Sequence, residues 1–143
     1  MQRSEFQFST PLRVRWSDAD MQGIVFNGHY LTYADVGITE YFRALSEANA
    51  GSSVNGSDFF AVRTLLEYRS PALYDDMLDI HVRIAKLGNS SMQFLIGIYR
   101  ADELLVTGEI VYVHADQTSR QPMRIPDSFR EAIVRFEKTT PEA

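Results

Sequence analysis

Between Phe6 and Trp16 apolar and polar side chains alternate, with Phe6, Phe8, Leu12, Val14 and Trp16 on one side and Gln7, Ser9, Arg13 and Arg15 on the other. A period of two predicts a half-buried strand. From Tyr30 the period changes. Tyr30, Tyr33, Ala34, Gly37, Ile38, Tyr41, Phe42 and Leu45 form an i, i+3, i+4, i+7 stripe that predicts a long helix, and Leu31 and Val36 widen its apolar side enough for a sheet to wrap it. The segment AGSSVNGSD (50–58) reads as a mobile loop. Alternation then returns four times: Phe60, Val62, Leu66 and Tyr68; Leu78, Ile80, Val82 and Ile84; Met92, Phe94, Ile96 and Ile98; Leu104, Val106, Ile110 and Tyr112. The opposing positions, among them Arg63, Asp79, His81 and Arg83, read as the solvent face. Short turn-rich links at 73–76, 88–90 and 101–103 predict antiparallel neighbours, a four-strand meander. A last amphipathic piece begins near Ile125-Pro126-Asp127, with Pro126 suited to a first helical turn, and carries Phe129, Ile133, Val134 and Phe136. The order is strand, long buried helix, four strands and short helix, an α+β arrangement in a single domain over 1–143.

Composition narrows the function classes. A chain of 143 residues buries roughly 70% of its unfolded surface and needs no staple. It has no Cys, so disulfides, thiolate nucleophiles and cysteine metal sites are excluded. The opening MQRSEFQFSTP has no apolar run of the kind a signal peptide or membrane span requires, so the expected location is the cytoplasm, away from the membrane. Asn-x-Ser matches at Asn55 and Asn89 are then chance. A net charge of −5 argues against nucleic acid as a partner. Twelve of the 14 basic residues are Arg, whose fork suits phosphate.

Motifs for dinucleotide binding, phosphate loops, zinc helices and serine nucleophile turns are absent. His81 reads as a solvent-face strand residue and His114 as a strand end. What remains is WSDADMQGIVFNGHY (16–30), with two carboxylates, Asp18 and Asp20, shortly before a helix N-terminus. Such a composition fills turns in any protein. It also suits chemistry, because a carboxylate there stands near backbone N–H groups that lack helical partners.

The run from Trp16 to Tyr30, followed by Leu31 and Tyr33, resembles the N-terminal motif of the 4-hydroxybenzoyl-CoA thioesterase family of hotdog-fold acyl-CoA thioesterases. Leu66-Glu-Tyr-Arg-Ser-Pro-Ala-Leu-Tyr-Asp-Asp76 with Leu78 and Ile80, the turn from Lys86 to Ser91, and Arg124-Ile-Pro126 extend the likeness over nearly the whole chain. The resemblance implies a hotdog fold: a five-stranded antiparallel sheet wrapped around one long central helix, with a short C-terminal helix. It implies hydrolysis of an acyl-CoA or acyl-carrier thioester, with Asp20 as nucleophile or general base and helix N-terminal amides polarising the carbonyl. Neither metal nor organic cofactor is expected.

Asn27 is expected to orient the carbonyl or a water, and Gly23 and Gly28 to let the backbone approach the substrate. His29 and Tyr30 are further binding candidates at the helix start. Lys86, Ser90 and Ser91, with Arg69, are candidates for the phosphates of coenzyme A, although that turn is less basic than in some family members. Asp18 reads as a structural residue that bonds loop amides, and Glu40 as a surface partner of Arg43. The family likeness further implies a homodimer or homotetramer with the site at a subunit interface. The other function class is a non-hydrolytic hotdog module that binds acyl-CoA or an acyl carrier protein.

Overall fold

A computed structural model of the chain describes residues 1–49 and 58–143. The loop expected over 50–58 lies outside the described residues apart from Asp58, as does Asn55. The elements are β1 (Phe8–Arg13), α1 (His29–Ala48), β2 (Phe59–Tyr68), β3 (Met77–Leu87), β4 (Ser91–Arg100), β5 (Glu103–His114) and α2 (Asp127–Phe136). All strand pairs are antiparallel in one sheet of order β1-β3-β4-β5-β2.

The helical stripe buries Tyr30, Tyr33, Ala34, Gly37, Ile38, Tyr41 and Leu45 against the concave face of this sheet. The facing side chains include Leu78, Ile80, Val82 and Ile84 of β3 and Met92, Phe94, Ile96 and Ile98 of β4, which follow the predicted alternation. A Cβ at Gly37 would stand 2.6 Å from Ile80 Cγ2, so glycine lets α1 lie directly on β3. Leu31 and Val36, expected to widen the buried side, are instead exposed.

Three expectations are corrected. The last four strands are not a simple meander: β3, β4 and β5 are consecutive neighbours, but β2 pairs with β5 at the far edge. The link after β2 crosses the end of the sheet, and its Ser70 and Arg69 amides bond Leu105 O instead of starting a hairpin. Within β2 a register shift between Ala61 and Arg63 leaves Val62 62% exposed. His81 and Arg83 are not on a solvent face, because the N-terminal segment lies over the convex side of the sheet. Phe6 packs edge-on to His81, Arg3 Nε donates to His81 Nε2 at 3.0 Å, and the Arg3 guanidinium stacks 4.3 Å from the Tyr99 ring. Burial, then the nearby Arg3, pushes His81 below its ordinary value. At the C-terminal end Pro126 caps α2 from just outside the first turn.

Glu137, immediately after α2, is also buried. Its Oε2 accepts from the Tyr41 hydroxyl at 2.5 Å and from the Ile84 amide at 3.0 Å, joining the end of α2 to the middle of α1 and to β3. Among the described residues no helix is long and apolar enough to cross a membrane.

Candidate active site

The chain leaves β1 through Val14, whose amide donates to Asp76 O and whose carbonyl accepts from the Asp75 amide, so the loop is anchored to the β2–β3 link. A single 3-10 turn at Trp16–Asp18 then directs Asp18 inward. Its Oδ2 accepts from the Arg15 amide at 3.0 Å and the Tyr33 hydroxyl at 2.7 Å, and its Oδ1 from Arg15 Nη2 at 3.1 Å. Burial alone would raise this carboxyl; the donors from Arg15 and Tyr33 outweigh it and hold Asp18 below the usual carboxylate range. Tyr33 is pushed upward, by burial first and then by its bond to Asp18.

Asp20 points the other way and is exposed. Its amide donates to Ile24 O at 2.9 Å, its carbonyl accepts from the Gly23 amide at 3.0 Å, and its Oδ1 accepts from the Gln22 amide at 2.8 Å. This tight turn holds Gly23 at φ +79°, the left-handed region. Nothing described lies within 4 Å of a Cβ built there, so within the chain Gly23 serves the turn. Ile24 bridges to Leu73, the Val25 amide donates to Ala72 O, and the Ala72 amide donates to the Tyr30 hydroxyl. Loop, link and first helical turn are therefore one bonded unit. A cleft of about 330 Å³ opens in it, lined by Asp20, Gln22, Asn27, Tyr30, Tyr68 and Arg69 among others.

At the helix start the His29 and Tyr30 amides bond Phe26 O and Asn27 O. The amides of Asn27 and Gly28, one step earlier, donate to no other described residue. The available donors thus precede the first helical turn. The Asn27 side chain is exposed beside them, and the Asn27 backbone carbonyl accepts from the Tyr68 hydroxyl at 3.3 Å. Gly28 has an ordinary helical backbone, φ −67°, and a Cβ there would meet the Phe26 ring at 2.7 Å, so it makes room for Phe26. His29 packs edge-on to the same ring and does not line the cleft. Glu40 pairs with Arg43 on the surface.

Asp20, Asn27, Tyr30 and Arg69 are brought together; Lys86, Ser90 and Ser91 are not. That turn adjoins His114, which pairs with Phe59 at the opposite end of β2 from Tyr68. Ten residues of strand separate the two groups by roughly 30 Å. The turn recruits two arginines that sequence reading missed: Arg130 Nη1 donates to Gly88 O at 2.8 Å and Arg124 Nη1 to Asn89 Oδ1 at 3.0 Å. Tyr68 was also missed as a cleft residue; its signal was its place as the last apolar position of β2. Beside the cleft, a second groove of about 340 Å³ runs between α1 and β2, lined by Leu31, Asp35, Ala61, Thr64 and Tyr112 among others. Burial, then nearby Asp35, pushes the Tyr112 hydroxyl upward. No group of three or more carboxylates and histidines among the described residues is placed to hold a metal.

This fold and motif are those of a thioesterase family. The Thioesterase-like superfamily matches residues 14–133, and the chain belongs to it, in keeping with the resemblance to hotdog-fold acyl-CoA thioesterases. It is 28% identical over 122 residues to the acyl-CoA thioester hydrolase YbgC of Escherichia coli O6:H1, covering 85% of this chain and 91% of that protein. It is 25% identical over 127 residues to the acyl-CoA thioesterase YbgC of Haemophilus influenzae, covering 88% and 93%. Among solved structures it is similar to a thioesterase of Thermus thermophilus complexed with coenzyme A and Zn, with TM-score 0.82, 26% identity and coverage of 93% and 96%.

Proposed function

We propose that the chain hydrolyses the thioester of an acyl-CoA to a free acid and a thiol, with Asp20 as the catalytic carboxylate. The observation that carries this reading is the placement of Asp20 and Asn27 on one cleft, with the amides of Asn27 and the adjoining Gly28 engaged by no other described residue. As a general base, Asp20 takes a proton from water while the water oxygen bonds the carbonyl carbon. The oxyanion is met by the backbone amides, the C–S bond breaks, and the thiolate leaves and is protonated. As a nucleophile, Asp20 itself bonds the carbon, expels the thiolate, and the resulting anhydride is hydrolysed. After a single turnover in ¹⁸O-water, label in the Asp20 carboxylate with unlabelled acid released marks the nucleophilic route, because only hydrolysis of the anhydride at the Asp20 carbonyl places a water oxygen there.

The proposal includes a homodimer formed edge to edge through β2. Among the described residues no strand pairs with its outer edge, and Val62, Leu65 and Tyr68 are exposed at 62%, 41% and 54%, an arrangement that proteins generally cover. Antiparallel pairing of β2 with its copy sets the Tyr68 end of one strand against the Phe59 end of the other. It brings the Lys86–Ser91 turn of the second subunit, with its Arg124 and Arg130, toward the Asp20 cleft. Those cations and turn amides then meet the phosphates of coenzyme A or a phosphopantetheine arm. The acyl group follows the groove between α1 and β2, where Asp35 and Tyr112 suit a short or polar acyl group better than a long alkyl chain.

Thiol release from a panel of acyl-CoAs, with light scattering on the same sample, tests both parts. Turnover by a dimer or tetramer is expected. Binding of acyl-CoA without thiol release would favour the non-hydrolytic module, and a monomeric mass at micromolar concentration would remove the interface.

A further inference from the structure

The convex face of the sheet holds a groove of about 400 Å³ that takes no part in the proposed reaction. Two rows of side chains cross the strands there. One is Arg83, Leu95, Glu109 and Leu65, and the next is His81, Gly97, Thr107 and Glu67. Gly97 leaves a gap in the second row, and Met1 lies over it, 3.7 Å from where a Cβ would stand. Met1 and Glu5 wall one side, and Arg69 lies on the groove as well as on the Asp20 cleft.

Arg83 distinguishes this groove from an ordinary sheet surface. The residue is 9% exposed and its Nε is buried without an acceptor; the buried Glu137 carboxyl feels its charge, but no described carboxylate is within ion-pair distance of it. The Phe6 ring stands 5.8 Å from its guanidinium carbon. A guanidinium keeps its proton, so burial cannot be relieved by neutralisation, and an uncompensated buried charge is costly. The acids on the walls are otherwise engaged: Glu109 pairs with Arg63 at 3.3 Å, and Glu5 accepts from the Gln2 amide at 2.7 Å. These acids, with Glu67, oppose a ligand of two or more negative charges. Leu65, Leu95 and Met1 present hydrocarbon beside the fork, and a volume of this size falls within the range of small-molecule pockets.

We propose that this groove is a binding site for a small organic carboxylate. Arg83 grips the carboxylate through its fork, and Leu65, Leu95 and Met1 cover the apolar body. The inference is independent of the hydrolytic reading. If that reading holds, the free acid it releases belongs to the same chemical class, and Arg69 joins the two cavities.

Hexanoate titrated into ¹⁵N-labelled protein, with hexanol as the neutral control, tests the site. The expected result is saturable shifts at the Leu95, Thr107 and Glu109 amides with hexanoate and none with hexanol. Arg83→Gln should weaken this response by at least about tenfold, since a charge-assisted bond is lost. Leu95→Glu, which places a carboxylate at the half-buried wall, should weaken it comparably and serves if Arg83→Gln does not fold. Shifts at the Gly23 and Gly28 amides report product binding at the Asp20 cleft and should persist in both variants. Equal shifts with hexanol, an unchanged response in the folded variants, or shifts confined to the Gly23 and Gly28 amides would overturn the proposal. So would outer-face shifts that follow protein concentration instead of hexanoate, because a second copy of the chain would then occupy the groove.

Discussion

Asp18 and Glu137 are both buried carboxylates, and each accepts a hydrogen bond from a tyrosine of α1, Tyr33 in one case and Tyr41 in the other. Their charge states are nevertheless pushed in opposite directions. Asp18 has donors on both oxygens, including the Arg15 guanidinium, and is held below the usual carboxylate range despite burial. Glu137 has two neutral donors on Oε2 and none on Oε1; burial outweighs the lowering effects of Tyr41, the Ile84 amide and Arg83 and raises it. The number and charge of donors, more than burial itself, decide whether a carboxylate stays ionised inside a protein. The start of α1 thus meets a held charge that shapes the loop, and its middle a carboxyl that keeps its proton more readily than an exposed one and pins α2. Asp20, two residues from Asp18, remains open to solvent, so the same loop encloses one carboxylate and leaves the other, the proposed catalytic one, free.

The largest expected effect separates Asp20 from both buried groups. Asp20→Asn should lower thiol release by about 10²- to 10⁴-fold, the loss typical of a missing general base, while the melting temperature stays close to that of the parent. Turnover without a change in that range would pass the role to Asp18 or Asp35.

Asp18→Asn should act on stability instead, because the amide replaces one acceptor by a donor facing Arg15. A loss of about 2–3 kcal/mol is expected in denaturant unfolding, with turnover of the folded fraction changed far less than by Asp20→Asn. Glu137→Gln should be milder, about 1 kcal/mol or less, since a neutral side chain of the same shape can still accept from Tyr41 and the Ile84 amide. If Glu137→Gln costs as much as Asp18→Asn, Glu137 is ionised and the contrast fails.

The smallest effect is in pH dependence. Asp18 has a lowered folded value, so its contribution is present above the unfolded value of about 3.9 and is lost as pH falls through the lowered one. Glu137 has a raised value, so its contribution is present below about pH 4.3 and is lost as pH rises through the raised one. Melting curves should show the gap between parent and Asp18→Asn closing below about pH 4, and the gap to Glu137→Gln narrowing toward higher pH. Parallel slopes for the two variants would contradict the assignment.

Much of this arrangement was readable from particular residues. The stripe from Tyr30 to Leu45 and the alternation through Ile84 and Ile98 are in place because their periods repeat the geometry of a helix and a sheet. The structural reading of Asp18 agrees with its bonds to Arg15 and Tyr33. Strand order was not readable: β2 has the same alternation whether it pairs with β3 or β5, and local pattern carries no information about which edge it takes. The burial of His81 and Arg83 was hidden for a related reason, since their cover comes from Met1, Arg3 and Phe6, at the far N-terminal end of the chain.

The sequence by itself determined the elements, the buried face of α1 and the loop that carries Asp20 and Asn27, because these follow from periodicity and backbone chemistry over a few neighbouring residues. Only the tertiary structure decided that Tyr68 and Arg69 join that loop, that the Lys86–Ser91 turn stands at the opposite end of β2, and that the Arg83 Nε is enclosed without an acceptor among the described residues. Those outcomes depend on contacts between distant segments, and such contacts are set by how whole surfaces pack and which polar groups that packing leaves unpaired.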